Sequence, residues 1–378
     1  SYRFALRRNW VDLGIRDEKF TRETYRAVAG VRGEFNDDWR YELSANYGVH
    51  KETNFIQNNM NRQRYLLAID TVRDASGKVV CRSQVDAAYT GTDRGGSASV
   101  LAADIAACVP INPFGEGSVS AEARRYLTVD SLATGKITQF DALGFVSGDT
   151  SGFFNLPGGP VAFSVGGEYR RETNAYDLDD VTQAGYAFYN AIPGFSAPAF
   201  EVKEAYGELY LPIVKNMRFF EELSVRGSAR IADYNGAAGT VYAYGGEAIW
   251  APVRDVTLRG TYSRSVRAPN LRALYQKQGQ NFAPGFGDPC SSRNLALGSA
   301  NRAANCTAAG RPSDYDYVYS SSLEILSGGN PNLEEESSDS WTAGVRLEPR
   351  WVPGLSISAD FYDIQVKNLI STLGSAQQ

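Results

Sequence analysis

Along most of the chain, hydrophobic and polar residues alternate with a period of two, which places them on opposite faces of an extended strand. The pattern is plainest between Asp255 and Arg350. Val256, Leu258, Gly260 and Tyr262 take one side of a strand, and Thr257, Arg259, Thr261 and Ser263 take the other. A long irregular segment follows, then a second strand with Trp341, Ala343, Val345 and Leu347 opposite Thr342, Gly344, Arg346 and Glu348. About eleven segments of this kind can be drawn. They lie near 2–12, 19–35, 39–55, 137–148, from 161 onward, 200–213, 223–232, 240–251, at the two strands just described, and at 355–362. One short helix is predicted at Ser120–Leu127, with Ser118 or Ser120 as its N-cap.

Two features of the pattern decide the class. The segments run to roughly 11–16 residues, whereas strands of soluble proteins cluster near 5–6 and a tilted membrane-spanning strand needs about 9–11. The connections also sort by length. Those at 36–38, 152–160, 212–219, 252–255 and 349–353 are short, while those near 57–136, 175–198 and 266–335 are long and polar. Short turns on one side and long loops on the other are the plan of an outer-membrane barrel. The predicted fold is therefore all-β, an antiparallel transmembrane β-barrel segment with long extracellular loops. Its polar face carries Glu168, Arg170, Arg226, Arg230, Arg346, Glu348 and Asp360, which suit a polar lumen, and its strand ends carry Phe219, Phe220, Trp250, Trp341 and Trp351, where interfacial girdles belong.

Composition narrows the function. The chain has 378 residues with 12% aromatics, 22 Tyr, 37 Gly and a net charge of −5. That charge argues against nucleic acid as a partner, because a phosphate-binding surface is normally basic. The single histidine, His50, argues strongly against a histidine-based metal centre or a Ser-His-Asp triad, and no phosphate loop or other catalytic constellation is found. The chain is read as no enzyme, with no cofactor and no metal. Mean hydropathy is −0.33 and no apolar run approaches 18 residues, so a membrane would be crossed by strands and not by a helix.

The four cysteines are Cys81, Cys108, Cys290 and Cys306, in loop segments without CxxC spacing. Disulfides formed in an oxidising compartment are expected. Of the three possible connectivities, pairing of nearest neighbours is preferred, because each pair then lies within one predicted loop. The chain opens mid-pattern and stops just after a strand, which reads as a segment of a longer protein.

Two stretches carry a resemblance. Ser263-Arg264-Ser265-Val266-Arg267-Ala268-Pro269-Asn270-Leu271-Arg272-Ala273-Leu274-Tyr275, followed by 329–345 with Gly329-Asn330-Pro331-Asn332-Leu333-Glu334-Glu335-Glu336, resembles the barrel domain of TonB-dependent outer-membrane receptors. Cys108-Val109-Pro110-Ile111-Asn112-Pro113-Phe114-Gly115 is similar to a loop of members with disulfide-bearing extracellular loops. The resemblance covers nearly all of 1–378 and implies a barrel of about 22 strands around an N-terminal plug, of which this chain would hold about half. It implies placement in the bacterial outer membrane among its lipids, and partnership with the plug and the TonB complex. It also implies energised uptake of a scarce small ligand such as a siderophore, cobalamin or an oligosaccharide. The competing readings are a passive porin or barrel adhesin, and a soluble secreted carbohydrate-binding β-protein.

Candidate ligand residues are Arg264 and Arg267, at the outer end of a strand, and Tyr315, Tyr317 and Tyr319, which share one face if 314–319 is extended. The arginines, with Arg272, have a second reading as caps of the strand-to-loop transition. The tyrosines have one as an ordinary hairpin extension of the loop. The segment from Pro269 is expected to fold a short helix into the barrel mouth with Leu271, Leu274 and Tyr275 as its apolar side. Asp177, Asp179 and Asp180 offer oxygen ligands for Ca²⁺, against the simpler reading of a solvated acidic loop, and Glu334, Glu335 and Glu336 read as a solvated lead-in to the next strand.

Overall fold

Ten long strands form one antiparallel sheet in which every strand pairs with its neighbours in sequence. They are β1 (Glu18–Phe35), β2 (Trp39–Met60), β3 (Thr128–Asp149), β4 (Ala162–Leu178), β5 (Phe200–Met217), β6 (Phe220–Tyr234), β7 (Thr240–Val253), β8 (Val256–Arg267), β9 (Glu336–Leu347) and β10 (Ile357–Lys367). A two-residue strand, Phe195–Ser196, is attached beside β4. The computed structural model describes residues 8–36, 38–89, 98–187, 192–318 and 322–371. Among these, no helix is long and apolar enough to cross a membrane.

The ladder registers fix which residues share a face. Val225, Gly227, Ala229 and Ile231 of β6 lie beside Ala248, Gly246, Tyr244 and Tyr242 of β7, a face of apolar and small side chains. The opposite face carries charge. Arg226 pairs with Glu208 at 3.4 Å, Arg230 with Glu168 at 3.0 Å and with Glu204, and Arg259 with Asp360 at 2.7 Å. Apolar outside and polar inside is the alternation of a membrane barrel. On β7 the outward face runs from Tyr242 to Trp250. Eight residue steps at about 3.4 Å each, tilted by roughly 40°, span about 21 Å, close to the apolar band of about 25 Å in such barrels.

Aromatic side chains mark both rims of that band. At the short-turn end Trp39 contacts Phe163 at 4.8 Å and Phe35 at 5.6 Å, and its indole N–H donates to the Asp149 carbonyl at 3.1 Å. Trp250 does the same through the Phe219 carbonyl at 3.0 Å. At the other end Tyr262 contacts Trp341 at 4.5 Å and Tyr244 at 6.1 Å. An aromatic body in lipid with its polar edge on the protein is the arrangement expected at a membrane interface.

Glycines let side chains cross the ladder. Arg259, Gly344 and Asp360 occupy one row on three adjacent strands, so the guanidinium reaches the carboxylate over Gly344, where a Cβ would stand 2.0 Å from Asp360 Oδ1.

The strands exceed their predicted lengths where they leave the membrane. β2 and β3 each have 22 residues, and β3 starts at Thr128 although alternation was evident only from Ile137. The first expected strand is absent from the described part of 2–12, and Val11–Leu13 forms a 3-10 turn instead. On the long-loop side the exception is 235–239, a short connection between β6 and β7.

The best-packed region lies outside the sheet. The β2–β3 loop holds helices α1 (Arg62–Ile69), α2 (Ala98–Ala106) and α3 (Ala121–Leu127), and Ser120 caps α3 by accepting the Ala123 N–H at 3.1 Å. Leu67, Ala68, Ile111, Tyr126 and Leu127 are buried together with the Cys81–Cys108 disulfide. The segment before β1 joins this core through Leu13, and Trp10 meets Tyr65 edge-on at 5.5 Å. Asp104, also buried, holds Arg64 and Gln63 at 2.8 Å each, so its charge has partners. Beside them the Tyr126 hydroxyl donates to the Asp104 carbonyl at 2.8 Å, and burial pushes its pKa up.

Candidate functional site

At the outer end of β8 the chain turns inward. Pro269 cannot donate to a ladder, and Asn270 caps the short helix α5 (Leu271–Tyr275) by accepting the Ala273 N–H at 2.8 Å. α4 (Asp180–Gln183) precedes it in the chain and α6 (Arg302–Ala308) follows it. Leu271 and Leu274 are buried, as the apolar spacing predicted, and the Tyr275 hydroxyl lies over Gly236.

The chain returning to β9 closes on the same helix. Asn330 N–H donates to the Ala273 carbonyl at 2.8 Å and Gly329 N–H to the Gln276 carbonyl at 2.7 Å. A Cβ on Gly329 would stand 2.7 Å from the Leu274 carbonyl, so only glycine allows this approach. The two sequence stretches that carry the family resemblance are thus one packed unit at the neck of a long loop.

Under α5 a cavity of about 550 Å³ opens against the inner wall. Its lining includes Arg170, Glu172, Phe200, Tyr234, Arg267 and Arg272, drawn from β4, β5, β6, β8 and α5. Glu172 accepts from Gln139 at 2.8 Å. Arg170 lies 3.8 Å from both Glu168 and Glu172, and its buried Nε has no hydrogen-bond partner among the described residues. A guanidinium edge, a carboxylate and two aromatic rings around one cavity can grip a ligand that has both polar and apolar surface.

The candidate ligand residues fall in different places. Arg264 faces outward, in the same ladder row as Asp339, whose carboxylate lies 3.8 Å away and also takes Lys367 at 2.9 Å and the Tyr262 hydroxyl at 3.1 Å. Arg267, an odd number of residues further on, faces inward and pairs with Glu336. Both arginines therefore anchor β8 to β9 by ion pairs, neither caps a carbonyl among the described residues, and of the two Arg267 lines the cavity. Arg272 is held by Gln276 at 2.9 Å within α5. Glu336 corrects the expectation of a solvated lead-in. It is 6% exposed and also accepts the Ile370 N–H at 2.6 Å.

Tyr315 and Tyr317 belong to a different cluster, around the Cys290–Cys306 disulfide. Segment 315–317 is not a strand; it lies along 291–293, with Ser292 N–H donating to the Tyr315 carbonyl at 3.0 Å and Ser291 Oγ to the Tyr317 carbonyl at 2.7 Å. The Tyr315 hydroxyl donates to Asp288 at 2.5 Å, whereas the Tyr317 side chain is exposed. Tyr319 lies outside the described residues. Arg293 grips Asp316 at 2.6 Å, and its guanidinium holds that carboxyl down at a pKa of about 2. Asp179, one of the three possible Ca²⁺ ligands, is occupied otherwise. Its carboxylate caps α4 through the Thr182 N–H at 2.9 Å and accepts the Leu132 N–H at 2.9 Å.

A protein-family model described as "TonB dependent receptor-like, beta-barrel" matches residues 2–378. No curated protein matches the chain. Among solved structures it is similar to the siderophore receptor PirA from Acinetobacter baumannii, with 13% identity and a TM-score of 0.47, covering 93% of this chain and 35% of that one. The RagAB peptide transporter gives 9% identity and a TM-score of 0.47, covering 94% and 31%. A mutant of the ferric enterobactin receptor PfeA from Pseudomonas aeruginosa gives 11% and 0.39, covering 93% and 52%. The chain therefore spans between about a third and about half of these proteins.

Proposed function

We propose a function from one premise: the chain belongs to the TonB-dependent receptor family, as part of its β-barrel. Its place is the bacterial outer membrane, and the family is one of receptors and transporters, not enzymes. On our reading the protein takes up a scarce small ligand, in the class of siderophores, cobalamin or oligosaccharides, by transport energised through the TonB complex. An N-terminal plug would close the lumen, and the ligand would first settle in the mouth.

The observation that supports this reading is the cavity beneath α5. A passive pore needs a lumen but no built pocket at its mouth, whereas a receptor needs a place where a rare ligand is held before transport. Here the loop neck is folded inward and secured by Asn330 and Gly329, and it forms one wall of a pocket whose other wall is the charged inner face. Arg170 lines the same cavity, where its Nε lies 3.8 Å from Glu172 and makes no hydrogen bond among the described residues. Loss of a hydrogen bond to a charged group costs about 1.5–3 kcal/mol, so Arg170→Ala is expected to weaken binding by about tenfold or more.

The test uses the full-length receptor. Candidate siderophores, cobalamin and oligosaccharides are screened by calorimetry, and uptake of the best binder is followed in cells with and without TonB. Binding weakened by Arg170→Ala and uptake lost without TonB are the expected results. Uptake that continues without TonB would make the protein a passive channel and overturn the reading.

A further inference from the structure

We propose that the lipid-facing surface at the outer end of β2 and β3 binds a phosphate-bearing lipid of the outer leaflet, through Lys51 and Lys136. This inference rests on the barrel's place in the outer membrane and not on the identity of the transported ligand.

The argument starts from register. Tyr47 pairs with Phe140, Val49 with Thr138 and Lys51 with Lys136. Tyr47, Val49 and Lys51 share the outward face of β2, the face on which Tyr41 and Leu43 are exposed apolar residues. Phe140 meets Tyr169 of β4 at 6.2 Å, so Tyr47, Phe140 and Tyr169 continue the outer aromatic rim on this side of the barrel. The two lysines stand four residues beyond that rim, about 13 Å along the strand, where lipid tails give way to headgroups.

Like charges directly opposite in a ladder destabilise a sheet. The row does contain a carboxylate: Glu23 of β1 stands opposite Lys51 on its other side. Among the described residues, however, neither lysine makes an ion pair or a hydrogen bond, and Lys136 has Ala175 of β4 as its next neighbour. Nearby, Arg171 is taken by Glu201 at 3.0 Å, and Lys203 stands opposite Asp233.

The same barrel shows how such a charge arrangement is otherwise completed. Beyond the outer aromatics Tyr262 and Trp341, Asp339 stands between two cations, Arg264 and Lys367. There the sequence supplies the bridging anion. Between Lys51 and Lys136 it supplies none, and the face is turned to lipid, so the complementary anion is the phosphate of a neighbouring headgroup. Two ammonium groups with rotatable donors can hold one phosphate between them.

The experiment uses the full-length receptor in detergent, with lipid A, dephosphorylated lipid A and inorganic phosphate as separate probes, read by native mass spectrometry. Wild type is expected to retain lipid A. Lys51→Ala/Lys136→Ala is expected to retain it roughly tenfold less, Lys51→Arg/Lys136→Arg to keep it, and dephosphorylated lipid to be retained poorly. Heat-modifiable mobility on a gel establishes that each variant is a folded barrel. Equal retention of lipid A by the double alanine variant, or equal retention of the dephosphorylated lipid, overturns the proposal. Displacement of lipid A by millimolar inorganic phosphate also overturns it, because the site would then be one for free phosphate.

Discussion

Removing the Leu274 side chain should loosen the loop neck while leaving the barrel intact. Leu274 is 5% exposed. Truncation to alanine deletes three carbons from a buried position, and at about 0.8 kcal/mol per buried carbon the loss is about 2.4 kcal/mol. Leu271, one turn away on the same helix, lines the cavity under α5, so the helix has room to relax and the larger penalties of rigid cores do not apply. Opening of the neck should therefore become about 50-fold more frequent, since each 1.4 kcal/mol is a factor of ten. Three amides report that opening: Gln276 N–H on Arg272 O at 3.1 Å, Gly329 N–H on Gln276 O and Asn330 N–H on Ala273 O. In hydrogen exchange all three should accelerate together by that factor in Leu274→Ala, while ladder amides of β6 and β7 keep their rates. If the three amides keep wild-type protection, α5 is not held by its apolar side and the docking argument fails. If the ladder amides accelerate equally, the neck is not a separate unit.

Other outcomes follow from single contacts. Gly344→Ala places a Cβ 2.0 Å from Asp360 Oδ1 and 2.8 Å from Arg259 Nε. It should cost about 1–3 kcal/mol through the displaced ion pair, seen as a lower temperature for loss of the heat-modifiable band. Replacing Cys81 and Cys108, 27 residues apart, by serine should lower the opening free energy of the α1–α3 core by about 3–4 kcal/mol, measured by exchange at Leu67 and Leu127. Asp316 gives a pH dependence. Its folded pKa of about 2 lies below its ordinary 3.8, so its stabilisation is complete above pH 3.8 and disappears as pH falls through about 2. Proteolysis of the Cys290–Cys306 loop by an acid protease, normalised at each pH to an unstructured substrate, should accelerate more over that window in wild type than in Asp316→Asn.

Much of the fold was legible because a barrel strand writes both of its environments into its own sequence. Leu223 to Ala232 could be assigned faces at sight, and the register agrees. The ends were harder. Segment 128–135 stands beyond the headgroup level reached at Lys136, where the outward face need not be apolar, so the alternation fades although the ladder continues. Arg264 and Arg267 looked like one pair, yet a spacing of three in a strand puts them on opposite faces. Glu336 looked solvated because it ends a run of three glutamates, and its burial depends on Arg267 and Ile370, both distant in sequence. The cavity was not legible at all. It combines α5 with strands from 137 to 234, and nothing local in either stretch records that meeting.

The neck also accounts for how the longest loop can vary without disturbing the barrel. Arg267–Glu336 joins its two ends at the rim, and Gly329 and Asn330 bind the returning chain to α5 just inside it. Beyond this double closure, Gly279–Ala283 pairs with Leu323–Ser327, and the segment between them is organised around Cys290–Cys306 and Arg293–Asp316. Those contacts are internal to the loop, so changes there leave the neck's own hydrogen bonds in place. Tyr315 and Tyr317 sit in this outer part, whereas Arg170, Arg267 and Arg272 line the cavity below the neck. A ligand selected by the outer loop and one held by the cavity would thus be recognised by separable sets of residues. Exchange of 284–322 between receptors should then alter which ligand is captured while preserving the effect of Arg170→Ala on the ligand that binds, and loss of that effect in a folded chimera would show that the outer loop and the cavity are one site.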